Sequence, residues 1–99
     1  MTNDNFKTIP QSKWFELHES QVCVVILESG EVFAGYSDGA EEEPFDLQGC
    51  YEYTYDKKWS RASGSEQGMS YCGLEEDMIQ NVFVPKADVE LDACMALWS

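Results

Sequence analysis

Gln21-Val22-Cys23-Val24-Val25-Ile26-Leu27-Glu28-Ser29-Gly30-Glu31-Val32-Phe33-Ala34-Gly35-Tyr36 decides how this chain folds. Two β-rich runs, VCVVIL and EVFAGY, meet around Ser29-Gly30, and glycine at that point tolerates the positive φ of a tight turn. The stretch therefore reads as a β-hairpin. Its first run is apolar at consecutive positions, not alternate ones, so both faces of that strand must be covered. A central strand of a small barrel or sandwich satisfies this; an open sheet with one wet face does not.

Working outward, Pro10-Gln11-Ser12-Lys13-Trp14-Phe15-Glu16-Leu17-His18 reads as a helix of about two turns with Pro10 near its first position. A helix that short depends on packing Trp14 or Phe15 against the sheet. Ahead of it, Met1 to Ile9 are expected to fray. Ser37 to Pro44 (SDGAEEEP) is a turn-rich acidic loop holding Asp38, Glu41, Glu42 and Glu43, with Asp46 just beyond. Cys50-Tyr51-Glu52-Tyr53-Thr54-Tyr55 alternates in strand fashion and puts Tyr51, Tyr53 and Tyr55 on one face. Lys57-Lys58-Trp59-Ser60-Arg61 holds half of the chain's six basic residues, and Ala62 to Gly68 is a flexible connection or long hairpin tip.

Ser70 to Leu74 reads as a short strand, followed by a second acidic cluster at Glu75, Glu76 and Asp77. Asn81 to Val84 is a strand stopped by Pro85. Lys86-Ala87-Asp88 is expected to make a single turn, and Val89 to Leu97 a last strand that buries part of Met95, Leu97 and Trp98. The expected fold is a mainly β single domain over residues 1–99: a small closed barrel of five or six strands with one short N-terminal helix.

The pairing of VCVVILESGEVFAGY with a late VFVPKADVEL resembles the pattern of SH3-like and Sm-like small barrels over about half of the chain. The resemblance implies that Gly30 serves the hairpin turn, Gly35 a sharp bend in the second strand, and Pro85 to Asp88 a one-turn element before a closing strand. It implies an architecture and no activity. RNA binding, which Sm-like proteins carry out through basic and aromatic loops, does not carry over, because this chain lacks their basic character.

Composition speaks to partners. Nineteen Asp and Glu against six Lys and Arg give a formal net charge of −13, with the acids spread from Asp4 to Asp92 among apolar segments. A folded domain carrying that surface repels anionic lipid and nucleic acid and attracts basic proteins. No run approaches the roughly 18 apolar residues of a membrane span, and no basic segment with a hydrophobic run opens the chain, so a cytoplasmic location is expected. Cys23, Cys50, Cys72 and Cys94 show no C-x-x-C spacing, which argues against structural zinc and for reduced thiols.

Chemistry-bearing patterns are few. His18 is the single histidine and has no nucleophile at a recognisable spacing; no phosphate-binding glycine loop, zinc-protease helix or nucleophile elbow is present. The acid clusters lack the residue order of a calcium loop. No cofactor, metal or catalysis is therefore expected. The residues that read as partner-binding are the acids Asp38, Glu41, Glu42, Glu43, Asp46, Glu75, Glu76 and Asp77 and the rings Tyr51, Tyr53, Tyr55 and Trp59, since interface energy concentrates in aromatic anchors within a polar rim.

The expected function is a non-enzymatic acidic protein that binds and inhibits or regulates a basic nucleic-acid-handling protein by mimicking a phosphate backbone. In size and charge, though in no motif, it resembles the anti-CRISPR and anti-restriction proteins of bacterial viruses. The alternative is a small-barrel interaction adaptor whose acids serve only solubility.

Overall fold

In the computed structural model, which describes residues 4–39, 41–42, 44–61 and 71–98, with the backbone alone at 71 and 72, the opening stretch is the predicted hairpin. In chain order the elements are β1 (Phe6–Ile9), a 3₁₀ helix η1 (Gln11–Glu16), β2 (Val22–Leu27), β3 (Val32–Ser37), β4 (Phe45–Tyr53), β5 (Trp59–Arg61), β6 (Tyr71–Leu74), a 3₁₀ turn η2 (Glu76–Met78), β7 (Ile79–Pro85) and α1 (Leu91–Trp98). Gly30 turns the β2–β3 hairpin at φ +95°, with Leu27 N donating to Glu31 O at 2.8 Å. The pairing runs from Val22 opposite Tyr36 to Ile26 opposite Val32.

All seven strands form one antiparallel sheet in the order β1-β7-β2-β3-β4-β5, and β6 joins β4 beside β5. β2 lies inside this order, and both of its faces are buried, as its unbroken apolar run requires. On one face Val22 and Val24 pack with Phe6, Ala34, Phe83 and the helical residues Leu91, Cys94 and Met95. On the other, Cys23, Val25 and Leu27 pack with Trp14, Phe33, Phe45, Leu47, Leu74, Ile79, Val82 and Val84. Burying each such side chain contributes on the order of 1.5–3 kcal/mol.

The strand register slips between Ile26 and Leu27 against β7, and between Ala34 and Tyr36 against β4. Gly49 sits opposite the second slip at φ +62°, a left-handed conformation that favours glycine. The extra residue turns both Leu47 and Cys50, three apart in sequence, toward the same core cluster. Gly35 makes the close approach of β3 to β4 feasible, because a Cβ there would stand 2.9 Å from the backbone oxygen of Gln48.

Four expectations are corrected. The sheet does not close into a barrel and has seven strands, not five or six; its end strands are only four and three residues long, and η1 packs against β1 and the start of β4. Trp14 Nε1 donates to Ile9 O of β1 at 2.9 Å, while Phe15 meets Phe45 of β4 edge-on at 5.8 Å. The two-turn helix expected over Pro10 to His18 is that six-residue 3₁₀ helix, with no α-helix at this end. Of the stretch expected to fray, Phe6–Ile9 pairs with β7 and Phe6 is buried, while Met1 to Asn3 lie outside the described residues. Val89 to Leu97 is not a closing strand but carries the α-helix.

The helix has a plain physical cause. Leu91, Cys94, Met95 and Trp98 recur at i, i+3, i+4 and i+7, and the first three are buried while Asp92, Ala93 and Ala96 face solvent. Alanine, leucine and methionine are also strong helix formers. Trp98 closes the contact by stacking edge-on against Phe6 at 5.2 Å and tilted against Phe83 at 5.4 Å. Burial of Met95 and partial burial of Leu97 and Trp98 agree with expectation, though on a helix.

Candidate functional site

The acidic residues converge through tertiary structure. The β3–β4 loop brings Glu41, and η2 brings Glu76, to an open cleft of about 740 Å³ against η1. η1 and the residues that follow it supply Phe15, Glu16, Leu17 and His18 to the same wall. Three carboxylates from three separate segments thus rim one hollow whose floor includes the half-buried Phe15 and Leu17. Gln11 Nε2 donates to Glu76 Oε2 at 3.0 Å and ties η1 to η2 across the rim. Lys13 makes an exposed ion pair with Glu16 at 3.6 Å, which contributes well under about 1 kcal/mol.

Of the other expected acids, Glu42, Glu75 and Asp77 are exposed and outside the cleft lining, and Glu43 lies outside the described residues. Asp38 is half-buried and accepts a 2.6 Å hydrogen bond from Gln48 Nε2, so it braces the start of the loop. Asp46 follows the loop on β4, where its backbone oxygen accepts from Asp38 N at 3.1 Å. One carboxylate oxygen of Asp46, Oδ1, is buried with no hydrogen-bond partner among the described residues.

The aromatic residues occupy a different place. Tyr51 and Trp59 pack beside the cluster that α1 covers, and Trp59 Nε1 donates to the Met95 carbonyl at 3.0 Å. Tyr53 lies against Trp59 at 4.8 Å, and the Arg61 guanidinium sits 5.8 Å from the centre of the Tyr51 ring. All three rings are half-buried, Tyr51 and Trp59 at the sheet–helix junction and Tyr53 against Trp59. Tyr55, expected on the same strand face, instead lies in the β4–β5 turn and is 100% exposed. The acids and the rings therefore do not form one surface, because β4 separates them along its length. The connection at Ala62 to Gly68 lies outside the described residues.

The turn that presents Tyr55 is tightly made. Thr54 N donates to Lys58 O and Lys57 N to Thr54 O, each at 2.8 Å, and Thr54 Oγ1 reaches both Lys58 O and Asp56. Lys57 takes φ +64°, where a non-glycine residue costs roughly 1–2 kcal/mol.

His18 is exposed, and its Nδ1 donates to the Glu19 carbonyl at 2.9 Å. Ser12 shares the cleft with it, yet no hydrogen bond joins the two among the described residues, so no nucleophile–base pair is assembled. Cys23, Cys50 and Cys94 are buried and form no disulfide among the described residues. Cys23 and Cys94 belong to different core clusters, on opposite faces of β2. Burial pushes the Cys94 thiol up to about 11, and it pushes Cys23 up further, with the nearby Cys94 adding to the rise. Both thiols are thereby poor nucleophiles at neutral pH. Among the described residues no group of three His, Cys, Asp or Glu is arranged to hold a metal ion, and no helix is long and apolar enough to cross a membrane.

The fold and site define a small, mainly β antiparallel-sheet protein with one C-terminal helix and an acid-rimmed cleft. Comparison with known protein families, with characterised proteins and with solved structures finds no match to this chain.

Proposed function

We propose that this protein is a non-enzymatic acidic inhibitor or regulator that occupies the basic nucleic-acid site of another protein, in the manner of anti-CRISPR or anti-restriction proteins. The observation that carries this reading is the gathering of Glu16, Glu41 and Glu76 from three segments around one cleft. Carboxylates spread over a surface meet a phosphate-binding groove in a way that consecutive acids in one loop do not. The net charge of −13 adds long-range steering toward a basic partner. The half-buried Phe15 and Leu17 on the floor offer apolar contact to the stems of arginine and lysine side chains.

The adaptor alternative draws less support, since Tyr51, Tyr53 and Trp59 are engaged with α1, Arg61 and one another and do not line an open aromatic groove. A tagged pull-down from bacterial lysate, washed at low and at moderate salt, tests the reading. The expected catch is a nucleic-acid-binding protein that DNA or RNA displaces and that is lost on salt washing. The double variant Glu41→Lys/Glu76→Lys is expected to lose it. Retention of the partner by that variant, or a partner indifferent to nucleic acid and salt, overturns the proposal.

A further inference from the structure

β4 joins the acid-rimmed cleft to the turn that carries Lys57 and Lys58. The strand starts at Phe45 beside the acid-rimmed cleft and ends at Tyr53 beside the β4–β5 turn. That turn carries Lys57 and Lys58 beside Asp56, with Arg61 just behind, so that three of the six cations of the chain gather here, and it projects the fully exposed ring of Tyr55. Nine residues at about 3.3 Å each put the two ends of the strand roughly 25 Å apart. The turn is held rigid by its own hydrogen bonds, so it cannot reach the cleft of its own molecule.

We propose that the β4–β5 turn docks into the cleft of a second copy, with Tyr55 against Phe15 and Leu17 and with Lys57 and Lys58 against Glu16, Glu41 and Glu76. Complementary charge argues for this occupant. Among the described residues Lys57 and Lys58 form no ion pair, and a cleft of about 740 Å³ lined by Glu16, Glu41, Glu76, Phe15 and Leu17 offers them carboxylates and offers Tyr55 an apolar contact. Tyr55, fully exposed, sits on a backbone that keeps Lys57 in a strained left-handed conformation. Such strain is found where presentation of a side chain outweighs local stability. A contact between two different surfaces is head-to-tail, so each copy retains one free turn and one free cleft and short chains grow.

The net charge of −13 opposes this assembly and gives it a signature. At about 0.01 M salt the screening length of roughly 30 Å lets whole molecules repel one another. At about 0.15 M it falls to roughly 8 Å, which removes most of that repulsion and leaves the contact pairs; at about 1 M these weaken as well. Self-association therefore peaks at intermediate salt. Capture of a basic partner falls throughout.

The proposal rests on the cleft being a docking site, as the functional reading does, and sedimentation velocity on purified protein separates the two. From about 10 μM to 1 mM, the sedimentation coefficient of the wild-type chain is expected to rise with concentration near 0.15 M salt and to stay monomeric at 0.01 M. Lys57→Glu/Lys58→Glu removes the turn and Glu41→Lys/Glu76→Lys the cleft. Each variant alone is expected to remain monomeric, with circular dichroism confirming that it is folded. Mixed together they restore one turn and one cleft, and a dimer that grows no further is expected. A wild-type chain monomeric at every salt concentration, variants that associate like the wild type, or a mixture that stays monomeric overturns the proposal. If the turn variant alone loses self-association but still captures the basic partner, self-docking and partner binding share only the cleft. Loss of partner capture with intact self-association refutes the functional reading alone.

Discussion

Removal of the Trp14 ring tests whether η1 is the element that completes this open sheet. Trp14 is 4% exposed, packs among Val25, Phe45 and Val84 in the larger core cluster, and donates its indole N–H to Ile9 O at 2.9 Å. Truncating a buried tryptophan to alanine costs about 3–5 kcal/mol. Trp14→Phe keeps most of the ring contact and loses mainly the hydrogen bond, at about 1–2 kcal/mol. Against a total stability of roughly 5–15 kcal/mol, the alanine variant stands near the edge of folding. In urea, with a slope of about 1–3 kcal/mol per molar for a domain of this size, its midpoint is expected to fall by about 2 M and that of the phenylalanine variant by about 0.5–1 M. Fluorescence of Trp59 and Trp98 and far-ultraviolet circular dichroism follow the transitions. An alanine shift below about 0.5 M, or equal shifts for the two variants, refutes the account of η1 as packed against β1 and the start of β4.

Other consequences follow from the same structure. Gly35→Ala drives a methyl into the Gln48 carbonyl, with Leu47 and Cys50 also in contact, and is expected to destabilise by about 1–3 kcal/mol in the same titration; a neutral result refutes the close β3–β4 approach. Stability is expected to fall as pH rises from 9 toward 11, because the unfolded chain releases the Cys94 proton near 9.0 while the folded chain holds it to about 11. The unfolded state binds fewer protons in that window, so the slope is negative, at about 1.4 kcal/mol per pH unit for this group. Cys23 adds a loss of the same sign. Comparing urea midpoints of the wild type and Cys94→Ala at pH 8.5 and 10.5 checks this; identical pH slopes refute the burial argument for Cys94.

Much of the sheet was legible in local pattern. VCVVIL and EVFAGY around Ser29-Gly30 give the hairpin, and consecutive apolar positions in the first run give a strand covered on both faces. Pro85 ends β7 as read. The C-terminal helix was legible too: the spacing of Leu91, Cys94, Met95 and Trp98 is helical, against the strand expected over Val89 to Leu97. For Pro10 to His18 the residues hide the outcome, since tethering Trp14 to β1 and Phe15 to β4 over a short connection selects the tighter 3₁₀ geometry.

The sequence by itself determined the strongly acidic character, the β-rich core, the hairpin and the absence of familiar catalytic motifs, since these depend on composition and on contacts between near neighbours in the chain. Tertiary structure alone decided which acids meet and whether the sheet closes. Glu16, Glu41 and Glu76 stand in three segments separated by up to 60 residues, and only the packing of η1, the β3–β4 loop and η2 at one end of β4 brings them around a cleft. Tyr55 was likewise separated from Tyr51 and Tyr53 by a turn that local alternation does not reveal, because the hydrogen bonds from Thr54 to Lys58 end the strand pattern at Tyr53.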